Sequence, residues 1–216
     1  MNSLLPKLIL TGLGASISPI AIILLITVMM RDHARRNSLL FLAGFSLTLL
    51  GVGIALVSLM HAAGSGGTGK FDAYIDIALG VVCLAVVPLA IKRKPRQAKE
   101  GPEDADLKAF AAFTRGVVAM LINSSTWVIY IAGLHMVTTA TDLTTAEEIL
   151  AILILTLTTL LTLIIPIAVY FIFPHKAQEV LESARGWLVA HSKIIGIAIL
   201  VIFGAYLLIK GIVAVV

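Results

Sequence analysis

The chain has 216 residues, of which 59% are hydrophobic and only 13% charged, and its mean hydropathy is +1.05. Soluble domains carry about 25% charged residues, so water is not the solvent for most of this chain and a soluble enzyme is excluded. The net charge of +4 does not indicate a nucleic-acid partner, because the basic residues cluster beside the ends of apolar stretches instead of forming a folded patch.

Six apolar stretches are long enough to cross a bilayer, which takes roughly 20 residues of helix. They are residues 8–30, 39–60, 74–91, 116–137, 149–173 and 194–215. Together they use most of the chain and leave no segment for a separate aqueous domain. The sequence therefore predicts an all-α, multi-pass protein of the cell membrane (inner or plasma membrane), with one transmembrane domain at residues 1–216.

Pro19 interrupts the first stretch and is flanked by Ser16 and Ser18. The stretch is too long for the apolar core of a signal peptide. A proline inside a membrane helix leaves backbone carbonyls without a donor, so this helix is predicted to be kinked or broken. Ser16, Ser18 and Pro19 are therefore candidates for a substrate pathway, and a kink with a purely structural role is the alternative.

Positive charge is distributed unevenly among the linkers. Thirteen of the 16 Lys and Arg residues lie in the first, third and fifth linkers. Because cytoplasmic loops carry the excess of Lys and Arg, these linkers are predicted to be cytoplasmic and both termini to face outward. Arginines in or beside these linkers are candidates for contact with anionic lipid headgroups. They are Arg31, Arg35, Arg36, Arg115 and Arg185.

Charged residues are almost absent from the predicted spans. Asp72 and Asp76 are four residues apart, which places them on one face of the third helix, in its outer turn. Lys210 is near the outer end of the sixth helix, and an ion pair at the membrane surface is expected. Because an acid inside a membrane is a functional candidate by default, a proton-coupling role for Asp76 is the alternative.

Polar side chains recur in the fourth and fifth spans. The fourth carries Asn123, Ser124 and Ser125, and the fifth carries Thr159, Thr162 and Pro166. Amide and hydroxyl groups are unfavourable in lipid, so these side chains are expected to face the interior and to line a substrate pathway. The alternative is a structural role, in which they bond neighbouring helices or their own backbone.

The last 43 residues combine an amphipathic segment with an apolar helix. Residues 174–193 place apolar side chains at helical spacing with charged ones opposite, so this segment is predicted to lie flat on the cytoplasmic surface. The sixth span then carries the small residues Gly196, Gly204 and Ala205. Small residues let membrane helices approach closely, which predicts homodimers or larger homo-oligomers.

The sequence predicts no cofactor and no metal. The segment GSGGTGK has the spacing of a phosphate-binding loop, but Phe71 follows where Ser or Thr should ligate magnesium, and no strand precedes it. His61 and His135 fall at helix ends without a set of carboxylates or cysteines. Cys83 is the only cysteine and has no partner.

The long polar linker, residues 92–108, separates two halves, residues 1–91 and 109–216. A shift of 105 residues sets Ser18 and Pro19 over Asn123 and Ser124. Because three crossings make up each half, a repeat must be inverted across the bilayer, as in many transporters. It brings both segments to similar depth, where we expect a cavity lined by these four residues and Thr159.

Two long segments resemble one family. They are LGASISPIAIILLITVMMRDHARRNSLLFLAGFSLTLLG near the start and SARGWLVAHSKIIGIAILVIFGAYLLIKGI near the end. Both resemble the glycolipid-addressing protein (GAP) family of the lysine-exporter (LysE) superfamily. That family usually carries Asn-Pro-Lys in the fourth helix, where this chain has Asn123, Ser124 and Ser125. A mechanism that requires a lysine there is therefore not expected.

The resemblance implies export, or assisted export, of a lipid or glycolipid from the cytoplasmic leaflet, with membrane lipids as partners. One alternative is an efflux carrier for a small polar metabolite or ion, which needs compensating charge at the midplane, where this chain has little. Another is an accessory subunit of an export complex, which a closed and fully packed interior would favour. An intramembrane enzyme is disfavoured because the spans show no paired acid and base.

Overall fold

The computed structural model describes residues 4–62, 69–92, 109–140 and 143–215, and every regular element in those ranges is an α-helix. The helices are α1 Leu5–Ser16, α2 Pro19–Met29, α3 Ala34–Ala62, α4 Gly69–Lys92, α5 Ala109–Leu121, α6 Ser124–Thr138, α7 Thr145–Ile172 and α8 Pro174–Val215. The predicted all-α class is confirmed for this part of the chain. Most of the predicted central linker, residues 93–108, lies outside the described ranges.

Two of the predicted spans each consist of two helices that meet at a sharp bend. The helix axis bends by 61° between α1 and α2 and by 70° between α5 and α6. The first bend follows from Pro19, which has no N–H and therefore begins a new helix. The second bend contains no proline, and the sequence predicts only a polar cluster there. Asn123, at φ −87° and ψ 72°, leaves the helical conformation, as asparagine does readily.

Within the described ranges, three helices are long and apolar enough to cross a membrane, namely α3, α7 and the part Ser183–Val213 of α8. The number rises to five if each bent pair counts as one span. The predicted third span, residues 74–91, lies within α4, whose described apolar stretch is Asp76–Ala85. The chain is thus a membrane-helical protein, and the count of six spans remains a prediction.

Large apolar side chains cover the outside of the bundle. Leu10, Ile202 and Val213 are 68%, 65% and 72% exposed. A surface of this kind is unfavourable in water and is matched by lipid. Inside, the largest fully buried side chains include Tyr130 and Phe41, which belong to a core shared by α1, α2, α3, α5, α6, α7 and α8. The polar residues discussed below therefore sit in an otherwise apolar interior.

Helix α8 runs without a break from Pro174 to Val215. The amphipathic segment 174–193 and the sixth predicted span are thus one helix, and the expected turn onto the membrane surface is absent. Polarity changes near Lys193, as the sequence shows, but a change of side-chain polarity does not interrupt backbone hydrogen bonds. Gly196 stays helical as well, since a glycine costs a helix only about 1 kcal/mol.

Two glycines let α3 and α5 cross at close range. A Cβ atom on Gly44 would overlap the carbonyl oxygen of Phe113, and one on Gly116 would overlap the carbonyl oxygen of Phe41. Each glycine therefore faces the backbone of the other helix. Close approach of this kind is how small residues stabilise helix pairs inside membranes.

Glycines of the last helix pack against α4 of the same chain. A Cβ atom on Gly204 would lie 2.9 Å from the Cβ of Cys83, and one on Gly211 would lie 2.8 Å from the carbonyl oxygen of Ala73. Gly204, which the sequence assigns to contact between two copies, is thus used within one chain. Gly196 has no atom within 4 Å of such a position. Homo-oligomers remain a prediction.

Candidate functional site

Ser18 lies at the bend between α1 and α2. Its Oγ accepts a hydrogen bond from the Ala21 N–H at 3.3 Å, and Pro19 follows as the first residue of α2. Serine here satisfies an N–H that has no helical partner, and proline at the next position loses no hydrogen bond. Ser18 is only 3% exposed. The local sequence thus places a hydroxyl group inside the bundle.

Asn123 occupies the corresponding position immediately before α6. Its Nδ2 donates a hydrogen bond to Ser18 Oγ at 2.6 Å, and Ser125 Oγ donates to Asn123 Oδ1 at 3.2 Å. Asn123 is 1% exposed. A buried hydrogen bond therefore joins the two bends, between the two residues that the shift of 105 superposes.

A second contact between the same segments satisfies a backbone carbonyl. The Ala15 carbonyl lacks its helical donor because Pro19, four residues later, has no N–H. Thr126 Oγ1 donates to this carbonyl at 2.9 Å, and Thr126 is 2% exposed. Sequence reasoning misses this contact, since no local pattern shows which carbonyl a threonine on another helix reaches.

The candidate residues of α7 lie apart from this hydrogen-bond set. Thr159 is buried, and its hydroxyl donates at 2.8 Å to the carbonyl four residues before it in the same helix. Thr162 and Pro166 are half-buried. Thr156, which the sequence does not single out, has its hydroxyl 2.8 Å from the hydroxyl of the fully buried Tyr130. The structural alternative fits Thr159.

The remaining predicted pathway residues flank the two bends. Ser16 Oγ donates to the Leu13 carbonyl at 2.7 Å within α1, and Ser16 is buried. Pro19 is buried at the start of α2. The side chain of Ser124 lies outside the described residues, as do those of Asp72 and Lys210.

Neither of the two cavities described in the structure opens onto the hydrogen bond between Ser18 and Asn123. One is a shallow groove beside Val180 and Trp187 of α8. With Ser18 and Asn123 3% and 1% exposed, the predicted open cavity is closed at these residues. The polar groups face inward, as expected, but they satisfy each other.

The second cavity is a cleft between α1, α6 and α8, with a volume of about 270 Å³. Most of its wall is apolar, and Lys7 adds a single positive charge. The cleft residues are Lys7, Leu10, Met136, Ile202, Phe203 and Tyr206, together with Thr11. An apolar cleft with a cation suits the acyl chain and headgroup of an anionic amphiphile.

Asp76 is buried among the helices of the bundle. It is 4% exposed, and its Oδ1 lies 3.4 Å from Nδ1 of His135, which is 1% exposed. The sequence places Asp76 near a helix end and water, but α4 begins at Gly69, two turns earlier, and neighbouring helices cover it. The structure thus pairs a buried acid with a buried base, although the sequence indicates no such pair within the spans. Within the described ranges, no three His, Cys, Asp or Glu side chains group closely enough to hold a metal.

The predicted headgroup arginines surround the end of the bundle formed by the start of α3 and the end of α7. The Arg35 guanidinium lies 5.6 Å from the centre of the Phe171 ring, and Arg185 Nη1 lies 3.9 Å from Met30 Sδ. Arg35 and Arg36 are exposed, whereas Arg31, Arg115 and Arg185 are half-buried. The first and fifth linkers therefore lie at one end of the bundle.

Comparison with known families gives one match that covers nearly the whole chain. A family model described as Sap, sulfolipid-1-addressing protein, matches residues 8–213. No curated protein and no solved structure matches the chain. The match includes both helix bends, the pair formed by Asp76 and His135, and every residue of the cleft between α1, α6 and α8 except Lys7.

Proposed function

The chain belongs to the sulfolipid-1-addressing protein family, and on that premise we propose that it exports a lipid or glycolipid from the cytoplasmic leaflet of the cell membrane, or assists that export. The observation that carries the proposal is the buried hydrogen bond between Asn123 and Ser18. It joins two broken helices, and broken helices are where transporters with inverted repeats bind substrate.

The contacts between helices support an inverted repeat. A repeat of four helices would match α1 with α5, α2 with α6, α3 with α7 and α4 with α8. Under this matching, most pairs of helices in contact correspond to a pair that is also in contact. α1 packs on α7 as α5 packs on α3, and α2 packs on α8 as α6 packs on α4. α1 also packs on α6 as α5 packs on α2. In the proposed mechanism, one half moves against the other around the two bends.

In this mechanism, the hydrogen bond between Asn123 and Ser18 holds the two bends together weakly in the closed conformation. A hydrogen bond between membrane helices contributes about 1 kcal/mol, so thermal motion or a ligand can break it. Ser18 retains its bond from the Ala21 N–H when Asn123 moves away. The opened bends would then expose hydroxyl, amide and carbonyl groups to the polar part of a lipid.

The cargo we propose is an anionic amphiphile. The cleft beside Lys7 offers an apolar wall and one positive charge, and the spans carry few charged residues that could balance a small polar solute. The arginines at the other end of the bundle would attract anionic headgroups, by about 1 kcal/mol for each exposed charge. A carrier for a polar metabolite fits these features less well.

One observation favours the assisting role over transport by the chain alone. The polar groups at the two bends are closed from lipid and water, as expected of a subunit that needs no pathway of its own. In the transport mechanism the same closure is the resting conformation. The two roles differ in whether the purified protein moves lipid without another protein.

The test is a measurement of lipid in each leaflet. Cells that lack the protein should accumulate the cargo in the cytoplasmic leaflet, and restoring the wild-type chain should return it to the outer surface. Purified protein in vesicles with an anionic glycolipid in one leaflet then separates the two roles. Movement of the glycolipid there supports transport by this chain, whereas a cellular effect without movement supports the assisting role. Unchanged leaflets in cells contradict both.

A further inference from the structure

A carboxyl group and an imidazole meet inside the bundle. Asp76 in α4 and His135 in α6 approach to 3.4 Å between Oδ1 and Nδ1, and their side chains are 5% and 1% exposed. Apolar residues of similar volume usually stabilise such an interior at least as well as an ionisable pair. Packing alone therefore does not account for two titratable groups at this place.

Burial restricts the protonation states that the pair can adopt, because an uncompensated charge is strongly unfavourable away from water. The two side chains together hold one proton either as carboxylate and imidazolium or as carboxylic acid and neutral imidazole. Losing that proton, or gaining a second, changes the charge of the site by one unit. Either change requires water at the site, so proton exchange depends on opening.

We propose that Asp76 and His135 form a proton-binding site, which holds one proton while α4 and α6 are packed together and exchanges it when they separate. The proton is the ligand, and the two side chains share it. The consequence for transport rests on the proposed function: proton exchange accompanies the opening of the lipid pathway.

The pair adjoins the apolar cleft. Met136, the residue after His135, lines that cleft, and its Sδ lies 3.8 Å from Thr11 Oγ1 of α1. A movement of α6 away from α4 therefore changes the shape of the cleft. Through this contact, a movement of α6 that accompanies proton exchange would alter the cleft where we propose that lipid binds.

Other titratable groups approach this end from the neighbouring helices. α1 contributes Lys7, which is exposed. His61 of α3 and Glu148 of α7 pair with each other at 3.3 Å, and their side chains are 48% and 21% exposed. α8 contributes Lys210 and α4 itself Asp72, whose side chains lie outside the described residues. The pair of His61 and Glu148 also joins an imidazole and a carboxyl group, but its histidine is exposed, so it serves as a matched control.

Infrared difference spectroscopy tests proton binding directly. The full chain in nanodiscs is compared between acidic and neutral pH. We expect the wild-type difference spectrum to contain a protonated-carboxyl component that is lost in Asp76→Asn, displaced in His135→Gln and retained in Glu148→Gln. Identical carboxyl components in the wild type and Asp76→Asn would overturn the site. His135→Gln keeps the test decisive if Asp76→Asn fails to fold, because a carboxyl component identical to that of the wild type in His135→Gln overturns the site equally.

Tryptophan emission tests the movement of α6. Trp187 stacks on His191 at 4.7 Å between ring centres, so Trp187→Phe removes a signal that would respond to that histidine and leaves Trp127 of α6 as the only tryptophan. We expect Trp127 emission to change between acidic and neutral pH. The change should be lost in Asp76→Asn and retained in His61→Gln. Constant emission in the parent chain would overturn the coupling to opening.

An export assay at different pH values separates this inference from the proposed function. If wild-type protein exports lipid with a dependence on pH that Asp76→Asn loses, both stand. If Asp76→Asn exports lipid with the wild-type dependence on pH, the proton-binding site is wrong and the lipid function stands. If the infrared component is found but no lipid moves in cells or vesicles, the site stands and the proposed function fails.

Discussion

The side-chain amide of Asn123 donates a hydrogen bond of 2.6 Å to the hydroxyl of Ser18, and this contact links the two helix bends of the chain. The residues are 105 positions apart and both are almost fully buried. Ser18 caps α2 at its N-terminus and Asn123 directly precedes α6. Two bends of this kind, in contact through their polar residues, are what an inverted repeat of broken helices would produce.

Replacement of Asn123 tests whether this contact serves function or only stability. Asn123→Leu removes the hydrogen bonds to Ser18 and Ser125 without adding charge, and Ser18 keeps its bond from the Ala21 N–H, so the folded state should lose about 1–3 kcal/mol. We expect export to fall to the level of cells without the protein, with normal amounts of protein in the membrane. Ser58→Leu, at an exposed serine that bonds its own helix, is the control and should export normally. Normal export by Asn123→Leu would remove the bends from the pathway.

The bond from Thr126 to the Ala15 carbonyl should contribute to stability. Thr126→Val leaves that carbonyl buried without a donor, which costs about 1–3 kcal/mol. Thr114→Val, which removes an exposed hydroxyl bonded to its own helix, should change stability by less than about 0.5 kcal/mol. Thermal unfolding in nanodiscs measures both. Adding Pro19→Ala supplies an N–H for the carbonyl and should reduce the effect of Thr126→Val, so simple additivity of the two changes would contradict the assignment.

The crossing of α3 and α5 should not tolerate a methyl group. In Gly116→Ala the new Cβ would overlap the Phe41 carbonyl oxygen, so the helices must move apart, at a cost of about 1–3 kcal/mol. Gly51→Ala is the matched control, because no atom lies within 4 Å of its new Cβ. It should be neutral or stabilise α3 by up to about 1 kcal/mol. Equal unfolding temperatures for the two variants would show that the crossing is looser than described.

The direction of insertion is testable by labelling. Cysteines are placed one at a time at Lys70 and Gln97, while the native Cys83 is fully buried and gives little background. An impermeant maleimide added outside intact cells should label the cysteine at position 70 and not the one at 97. The opposite pattern would reverse the predicted topology, with both termini facing the cytoplasm.

The sequence by itself determined the features that depend on local chemistry. Apolar stretches of membrane length, the bend at Pro19 and the inward position of Ser18 and Asn123 all follow from the cost of polar groups in lipid. The described residues contain the bend at Pro19, the burial of Ser18 and Asn123, and three to five of the six predicted spans. The bend at Asn123 could not be predicted, because asparagine tolerates a helix as well as a break, and its neighbours decide which forms.

Only the tertiary structure decided which groups meet. The sequence predicts an ion pair for Asp76 but not its partner, which depends on the helices around it, and α6 brings His135 to 3.4 Å. Gly204 could pack within the chain or between chains, and the contact with Cys83 of α4 settles its use. α8 continues past residue 193 because polarity can change along a helix without ending it. Sequence periodicity gives the face of a helix, whereas the partner of that face depends on packing between residues far apart in the chain.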